Sequence, residues 1–314
     1  MRVIHSASEL KGLGRKCCVA IGFFDGVHLG HQQIIRQTVA DARQHEGLAM
    51  VITFDRHPNT VVAPQRVPPM IYSLPQKLRA ISSLEPETLL LIHFDKAFSQ
   101  QTGENFVRGL ALDCGQLQSL CVGANFTFGH KRGGNVALLK QLGAELHFAV
   151  HGMAAVSLDR KPVSSTRIRE TIQAGELDDA GQMLGRSWSL ASKVVQGDRL
   201  GHQLGFPTAN LDVTGLVLPP NGVYAVHAQI LPDGDSPASQ NFRAVLNIGV
   251  RPTIKTGAGE RRVEAHLLDF EGDLYGKELE LTFVEKLRDE KKFGSLDELK
   301  TQIAQDITHA RGVF

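Results

Sequence analysis

The sequence has no run of about 18 apolar residues, the length a membrane-spanning helix needs. Its start, Met1 to Ser6, lacks the apolar stretch of a signal peptide. No membrane partner is expected, and the expected location is cytoplasmic. Cysteine is scarce: Cys17, Cys18, Cys114 and Cys121 form no Cys-x-x-Cys pair and match no histidine spacing. Reduced thiols are expected, with neither a disulfide framework nor a zinc site. Charge of one sign is also lacking. The 34 Lys and Arg residues against 33 Asp and Glu leave a net +1, no basis for binding nucleic acid or an anionic membrane. There is no Gly-x-x-x-x-Gly-Lys-Ser/Thr loop. The nearest match, Gly272 to Glu278, has the wrong spacing and no hydroxyl after Lys277. Gly-x-Gly-x-x-Gly and His-Glu-x-x-His are missing too, so P-loop, dinucleotide-oxidoreductase and metalloprotease readings lose their main support. Repeats and low-complexity tracts are absent, and no feature specifies self-association.

What is present is an ordinary globular composition, 42% hydrophobic and 21% charged, in 314 residues. That length suits two domains of about 150 residues each. In the first half, apolar runs at Cys18 to Gly22, Ala49 to Phe54, Leu89 to Phe94, Leu120 to Gly123 and Leu146 to Val150 read as buried strands. Helix-length segments, among them Gly30 to His45, Gly103 to Asp113 and Gly134 to Leu142, lie between them. Strands alternating with helical crossovers predict a doubly wound α/β domain with a mostly parallel sheet.

The rhythm changes near Gly185, predicting domains at 1–184 and 185–314. Runs at Ala191 to Val195, Gly222 to Leu231, Arg243 to Ile248, Val263 to Phe270 and Leu279 to Val284 carry Gly, Pro and Asn punctuation. They predict an antiparallel barrel or sandwich, with Pro232 to Gln240 as a hairpin loop. A closing helix is announced by the capping box Ser295-Leu-Asp-Glu298 and by Leu296, Leu299, Ile303 and Ile307 at helical spacing.

Two segments carry chemistry in the first half. Gly22-Phe-Phe-Asp25-Gly26-Val-His28-Leu-Gly30-His31 joins the first strand to a helix. His28 and His31, three apart, share a face of its first turn. Unpaired amides and the positive dipole end make this an anion site, and Gly26 and Gly30 leave room for a phosphate or adenine. Two imidazoles there suit charge developing on a phosphoryl group; the alternative is two histidines in a helix cap. Ser164-Ser-Thr-Arg-Ile-Arg169 precedes another helix, bringing hydroxyls, cap amides and guanidinium groups together. It reads as a second anion site or as plain helix-start chemistry.

In the second half, Thr208 and Asn210 of Gly205-Phe-Pro-Thr-Ala-Asn210 are two apart on a strand and share a face. Two neutral oxygen ligands suit Mg²⁺ that completes its shell from phosphates and water. Glu264 and His266 likewise share a face between Val263 and Ala265. Glu264 is either a solvated strand residue or a base for a substrate hydroxyl during γ-phosphoryl transfer.

The His-x-Gly-His and Ser-Ser-Thr-Arg-Ile-Arg segments resemble the Rossmann-like nucleotidyltransferase superfamily. The longer strings GFFDGVHLGH, Thr53-Phe-Asp-Arg-His57-Pro58 and Val122-Gly-Ala-Asn125-Phe-Thr-Phe-Gly129 resemble its bacterial FAD synthetase branch. In order, Leu204 to Leu211, Gly222 to Ala225, Asn247 to Thr253, Glu264 to Phe270 and Asp273 to Lys277 are similar to riboflavin kinase, a six-stranded antiparallel barrel with a C-terminal helix. Together they imply the bacterial bifunctional riboflavin kinase/FAD synthetase family, with riboflavin, FMN and ATP as substrates, Mg²⁺ as cofactor, and FMN and FAD as products. The resemblance implies that His28 and His31 act on ATP phosphates, supported by Gly22, Phe23, Asp25, Gly30, Ser165, Thr166 and Arg167. It puts Asn125 in the nucleotide and flavin site. Gly205, Thr208 and Asn210 fall at the kinase phosphates, Thr208 and Asn210 also at the metal, and Glu264 as the base for the ribityl hydroxyl. Two positions depart from the pattern: Thr127 stands where many relatives have arginine, and His202 where they have the arginine of Gly-Arg.

Overall fold

The computed structural model describes residues 1–10, 14–197, 201, 204–232, 240–251 and 260–314. His202, the expected loop between Pro232 and Gln240, and Pro252-Thr253 of the kinase-like series lie outside the described residues. The described chain divides into two compact units, one of residues 1–168 and 183–185, the other of residues 169–182 and 186–314.

In the first unit, β1 (Arg2–Ile4), β2 (Cys17–Ile21), β3 (Leu48–Phe54), β4 (Thr88–Ile92) and β5 (Leu117–Gly123) are followed by the two-residue strands β6 (Thr127–Phe128) and β7 (Gly134–Asn135). Then come β8 (Ala149–Met153) and a small hairpin of β9 (Ser157–Leu158) and β10 (Lys161–Pro162). One six-stranded sheet runs β1-β4-β3-β2-β5-β8, with every neighbour parallel. The inner strands β2, β3 and β4 are almost wholly buried and largely apolar because both faces are covered, and alternate residues serve opposite layers. Val19, Ile21, Met50, Ile52, Leu120 and Val122 pack with Val107, Leu110, Leu139 and Leu142 of helices Gly103–Cys114 and Val136–Leu146. Their neighbours Ala20, Val51 and Cys121 pack with Ile34, Ile35 and Ile81 of helices Leu29–Gln44 and Leu74–Ser82. This is the expected doubly wound α/β arrangement.

Two details differ from expectation. The edge strand β1 is too short, at three residues with only Ile4 buried, to show in the hydrophobic pattern. The strand expected at Leu146 to Val150 begins at Ala149, because the preceding helix runs through Leu146 and ends on His147 in the left-handed region, φ 62°.

In the second unit, β11 (Ser189–Val195), β12 (Ala209–Leu211), β13 (Gly222–Ile230), β14 (Gln240–Arg251), β15 (Glu260–Leu267) and β16 (Glu278–Arg288) close a barrel in the order β11-β12-β15-β14-β13-β16. Every pairing is antiparallel. Closure leaves no edge strand exposed. The final helix, Leu296–Val313, covers one barrel face, where Ala310, Ile307 and Val313 meet Val223, Ala225 and Val245. Ser295 caps it by accepting the Glu298 amide at 3.2 Å, while the Glu298 carboxylate accepts the amide of Gly294 at 2.9 Å rather than that of Ser295. Leu296, expected on the apolar face, is 60% exposed, since it sits in the first turn before the helix reaches the barrel.

Candidate active sites

The crevice of an open parallel sheet lies where the strand order reverses, at the carboxyl ends of the strands. Here that point is between β2 and β5, adjacent in the sheet yet connected outward to opposite sides. The Gly22 to His31 segment leaves the end of β2, and Asn125 follows the end of β5, so the topology brings both expected site segments to the same edge. Asn125 and Thr127 are exposed there, Thr127 on the short β6–β7 hairpin.

The turn after β2 is tightly folded. Phe24, Gly26 and Val27 all have positive φ, at 56°, 75° and 44°, a costly conformation for a β-branched residue. A Cβ on Gly22 would lie 2.7 Å from the Phe24 ring, and one on Gly26 would lie 3.0 Å from Ile71. Asp25, 2% exposed, holds the turn from one side. Both its carboxylate oxygens accept the Ile71 amide at 3.1 Å, and Oδ1 also accepts that of Tyr72 at 3.3 Å.

Lys77 holds the turn from the other side. Its ammonium donates to the carbonyls of Phe54 at 2.8 Å and Phe23 at 3.3 Å and to the Thr53 hydroxyl at 3.4 Å, and lies 4.3 Å from the Phe23 ring centre. Burial pushes the Lys77 amine down to about 8, against the pull of Asp25 and Asp55. Sequence reasoning missed this residue, because a lysine in a short amphipathic helix reads as surface. The signal that tied it to the site exists only in three dimensions.

His28 caps helix Leu29–Gln44: its Nδ1 accepts the His31 amide at 3.4 Å, which leaves the ring proton on Nε2. The two imidazoles stack, with centroids 3.5 Å apart and planes at 20°. His28 is buried, and the enclosed Nδ1 of the half-buried His31 has no hydrogen-bond partner. Burial first, then His28 and Lys77, hold the His31 imidazole well below its usual range, so it is neutral at pH 7. A Cβ on Gly30 would lie 3.3 Å from the His28 ring. The pair is both helix cap and candidate anion site, since the first-turn amides of Leu29 and Gly30 have no intrahelical acceptor.

The Ser164 to Arg169 segment does not precede its helix but forms the first turns of Ser165–Ala174, with the Ser164 hydroxyl capping the Arg167 amide at 3.2 Å. Ser165 reaches the first segment, its hydroxyl donating to the Asp25 carbonyl at 3.1 Å. Thr166 is exposed, and Arg167 Nη1 donates to the carbonyls of Leu158 and Lys161 at 3.1 and 3.2 Å. The β9–β10 hairpin therefore fixes that guanidinium.

In the barrel, the antiparallel register places Asn210 opposite Glu264, Glu264 opposite Asn247, Asn247 opposite Val223, and Val223 opposite Arg288. Directly paired residues share a sheet face, so one row crosses five strands, polar except at Val223. All five residues, with Thr208 and His266, line a cavity of about 500 Å³ closed on one side by Leu299, Ile303 and Ile307 of the final helix. The shared faces expected for Thr208 with Asn210, and for Glu264 with His266, are present. Arg288 and Asp306, both largely buried, tie β16 to that helix through a bidentate pair at 2.8–3.1 Å. The sequence reading assigned no role to Asn247 or Arg288, although Asn247 stood in the kinase-like series.

Thr208 also lines a second cavity of about 570 Å³, between Pro207 and the Phe270 to Tyr275 loop. The preceding chain lies against the oxygen-bearing side chains. A Cβ on Gly201 would lie 2.9 Å from Thr208 Oγ1, and one on Gly197 would overlap the Asn210 amide. Gly205 has φ 86°, a turn conformation that a side chain would strain. His266 Nδ1 pairs with the Pro207 carbonyl at 2.8 Å and steadies the same loop.

Comparison with known proteins matches each half separately. Residues 11–167 match the model of the FAD synthetase family and residues 184–314 that of the riboflavin kinase family. Curated proteins described as bifunctional riboflavin kinase/FMN adenylyltransferase align along the whole chain. The one from Escherichia coli (strain K12) is 36% identical, over 100% of this chain and 97% of its own. The one from Pseudomonas fluorescens is 35% identical over 100% and 98%. A crystal structure from Streptococcus pneumoniae described as a macrolide-efflux protein is 28% identical, with TM-score 0.80 and 99% of each chain covered. That description stays with that protein; among the described residues here, no helix is long and apolar enough to cross a membrane. With one family model on each half and whole-length relatives above 30% identity, the chain belongs to the bifunctional riboflavin kinase/FMN adenylyltransferase family.

Proposed function

We propose that two domains, divided in sequence near residue 184, hold two separate active sites that convert riboflavin to FMN and FMN to FAD, each with its own ATP. The observation that carries this reading is that one unit holds the cross-strand row Asn210–Glu264–Asn247 in a cavity and the other holds the stacked His28–His31 pair. The riboflavin kinase match beginning at residue 184 supports the division. ATP use and the bacterial relatives support a cytoplasmic location.

In the barrel, the terminal ribityl hydroxyl of riboflavin attacks the γ-phosphorus of ATP, giving FMN and ADP. Glu264 orients that hydroxyl and accepts its proton, while Asn210 and Asn247 flank the carboxylate in the same row. Thr208 borders both cavities, which suits a group lying between a phosphoryl donor on one side and the acceptor hydroxyl on the other. The neutral oxygens of Thr208 and Asn210, pressed on by a glycine-bearing loop, fit Mg²⁺. Mg²⁺ held there supplies charge neutralisation at the phosphates. Gly205 gives the loop its turn.

In the α/β unit, a phosphate oxygen of FMN attacks the α-phosphorus of ATP, giving FAD and pyrophosphate. No side chain needs to act as nucleophile; positioning and charge stabilisation carry the rate. Neutral His31, the Nε2 proton of His28 and the first-turn amides supply donors. Gly22, Phe23 and Asp25 set the turn, Gly30 admits the phosphates, and Ser165, Thr166 and Arg167 form the opposite jaw. Asn125 borders the nucleotide and flavin.

Lys77 fixes this turn, which predicts a pH signature. Below pH 8 the charged amine donates to all three of its acceptors; above it, one donor is lost. FAD formation from FMN should fall through pH 8, and Lys77→Met should cut it about 10- to 100-fold at pH 7 and erase that alkaline limb. Fold stability should move the other way. The unfolded chain keeps the Lys77 proton up to about pH 10.4, so this residue's contribution rises between pH 8 and that value. A Lys77→Met enzyme retaining the parent's alkaline limb would remove Lys77 from the account.

Incubation with riboflavin and Mg·ATP tests the whole reading. FMN should form first and FAD follow, with ADP and pyrophosphate both released. Formation of only one flavin product, with FMN supplied as well, would contradict it.

A further inference from the structure

Away from both sites, Asp41, Cys121 and His151 converge within the first unit. Asp41 lies in the last turn of the helix whose first turn carries His28 and His31, Cys121 in the middle of β5, and His151 in the middle of β8. The donor atoms are one carboxylate oxygen, one thiol and one imidazole nitrogen, all within 4.8 Å of one another. His151 Nε2 lies 3.2 Å and Cys121 Sγ 3.7 Å from the same oxygen, Asp41 Oδ2. Zinc ligands at about 2.0–2.3 Å in a tetrahedron stand roughly 3.4–3.6 Å apart, so these two distances already approach two edges of such a tetrahedron, and the third pair lies within 4.8 Å.

Their surroundings fix the donors. Gln37 Nε2 donates to the other carboxylate oxygen, Oδ1, at 2.7 Å, and the buried Ser119 hydroxyl donates to Oδ2 at 2.7 Å. Outer partners of this kind orient ligands in metal sites. Asp41 and Cys121 are buried while the His151 side chain is 40% exposed, which gives an entry path past the imidazole. Asp41 also stands at the negative end of its helix, where a carboxylate is unfavourable and a cation is favoured.

We propose that Asp41, Cys121 and His151 form a binding site for a borderline-soft divalent cation, zinc or a metal of similar preference, with water in the fourth position. Binding exchanges the thiol proton for the cation and releases it to solvent. The bound ion joins the C-terminal end of the helix to β5 and β8, and so braces from behind the element that presents the histidine pair. The expectation of no zinc site came from local spacing; these ligands are far apart in sequence and meet only through the sheet order.

The test uses the full chain, reduced, stripped with a chelator, without nucleotide, and titrated with Co²⁺. One equivalent should bind with tetrahedral visible bands and a thiolate-to-cobalt charge-transfer band, which binding at His28 and His31 cannot produce. Zinc should displace it and raise the melting temperature. Cys121→Ser should lose the charge-transfer band, and His151→Gln, a change at a half-exposed side chain, should weaken binding at least about 100-fold. No charge-transfer band in the parent, or one that survives in either variant at parental affinity, overturns the site.

Discussion

His31→Ala should lower FAD formation from FMN by about 100- to 1,000-fold, the cost of removing a donor aimed at developing charge, and leave FMN formation from riboflavin at the parent rate. The reason is local. His31 stacks on His28 at 3.5 Å, and its own amide anchors the cap through His28 Nδ1. Its imidazole is neutral at pH 7 because burial, His28 and Lys77 disfavour the charged form. A neutral ring can donate to a pyrophosphate leaving group without first surrendering a strong ion pair with bound ATP, so its hydrogen bond strengthens as charge develops. The backbone of the turn is set by Asp25 on the Ile71 and Tyr72 amides, not by the His31 ring. The turn should therefore survive the substitution, and kcat should fall more than affinity. Separate assays with FMN and with riboflavin check this; equal loss of both steps would contradict separate sites.

Glu264→Gln should produce the converse, loss of riboflavin phosphorylation by about 100- to 10,000-fold, the usual worth of a positioned general base, with FAD formation from supplied FMN intact. Glutamine keeps the shape and the row across β12, β15 and β14 but cannot accept the hydroxyl proton. The barrel does not depend on that charge, since Glu264 lines a cavity while Val263 and Ala265 on either side are buried in the core. Asn210→Asp, which adds a negative charge facing the same phosphates, should share the loss. Riboflavin turnover at the parent rate by Glu264→Gln would mean that the base lies elsewhere.

Much of this architecture was legible because it follows from short-range pattern. Both-sided burial made β2 to β4 and the second half of β5 apolar runs, and the half-exposed barrel strands alternated around Asn210 and Glu264. The histidine pair could be placed because a strand, a glycine-rich turn and a helix start are all local features. What stayed hidden is set by three-dimensional pairing. Lys77 enters the site through carbonyls of β3 and of the turn after β2. Asn247 and Arg288 join the cavity only through strand register. Helix Val136–Leu146 ran past its expected end because its C-terminal turn used His147 in a left-handed conformation instead of a glycine. The Ser164 hydroxyl likewise started its helix earlier than the arginines suggested.

The central claim is that one chain carries two separate active sites, one for each step. The most direct measurement mixes His31→Ala and Glu264→Gln, each unable to make FAD from riboflavin alone, and follows flavin products with Mg·ATP. The mixture should accumulate FMN made by the first variant and convert it to FAD with the second. A mixture that forms no FAD, although each variant retains its own single step, would contradict an exchange of free FMN between independent sites.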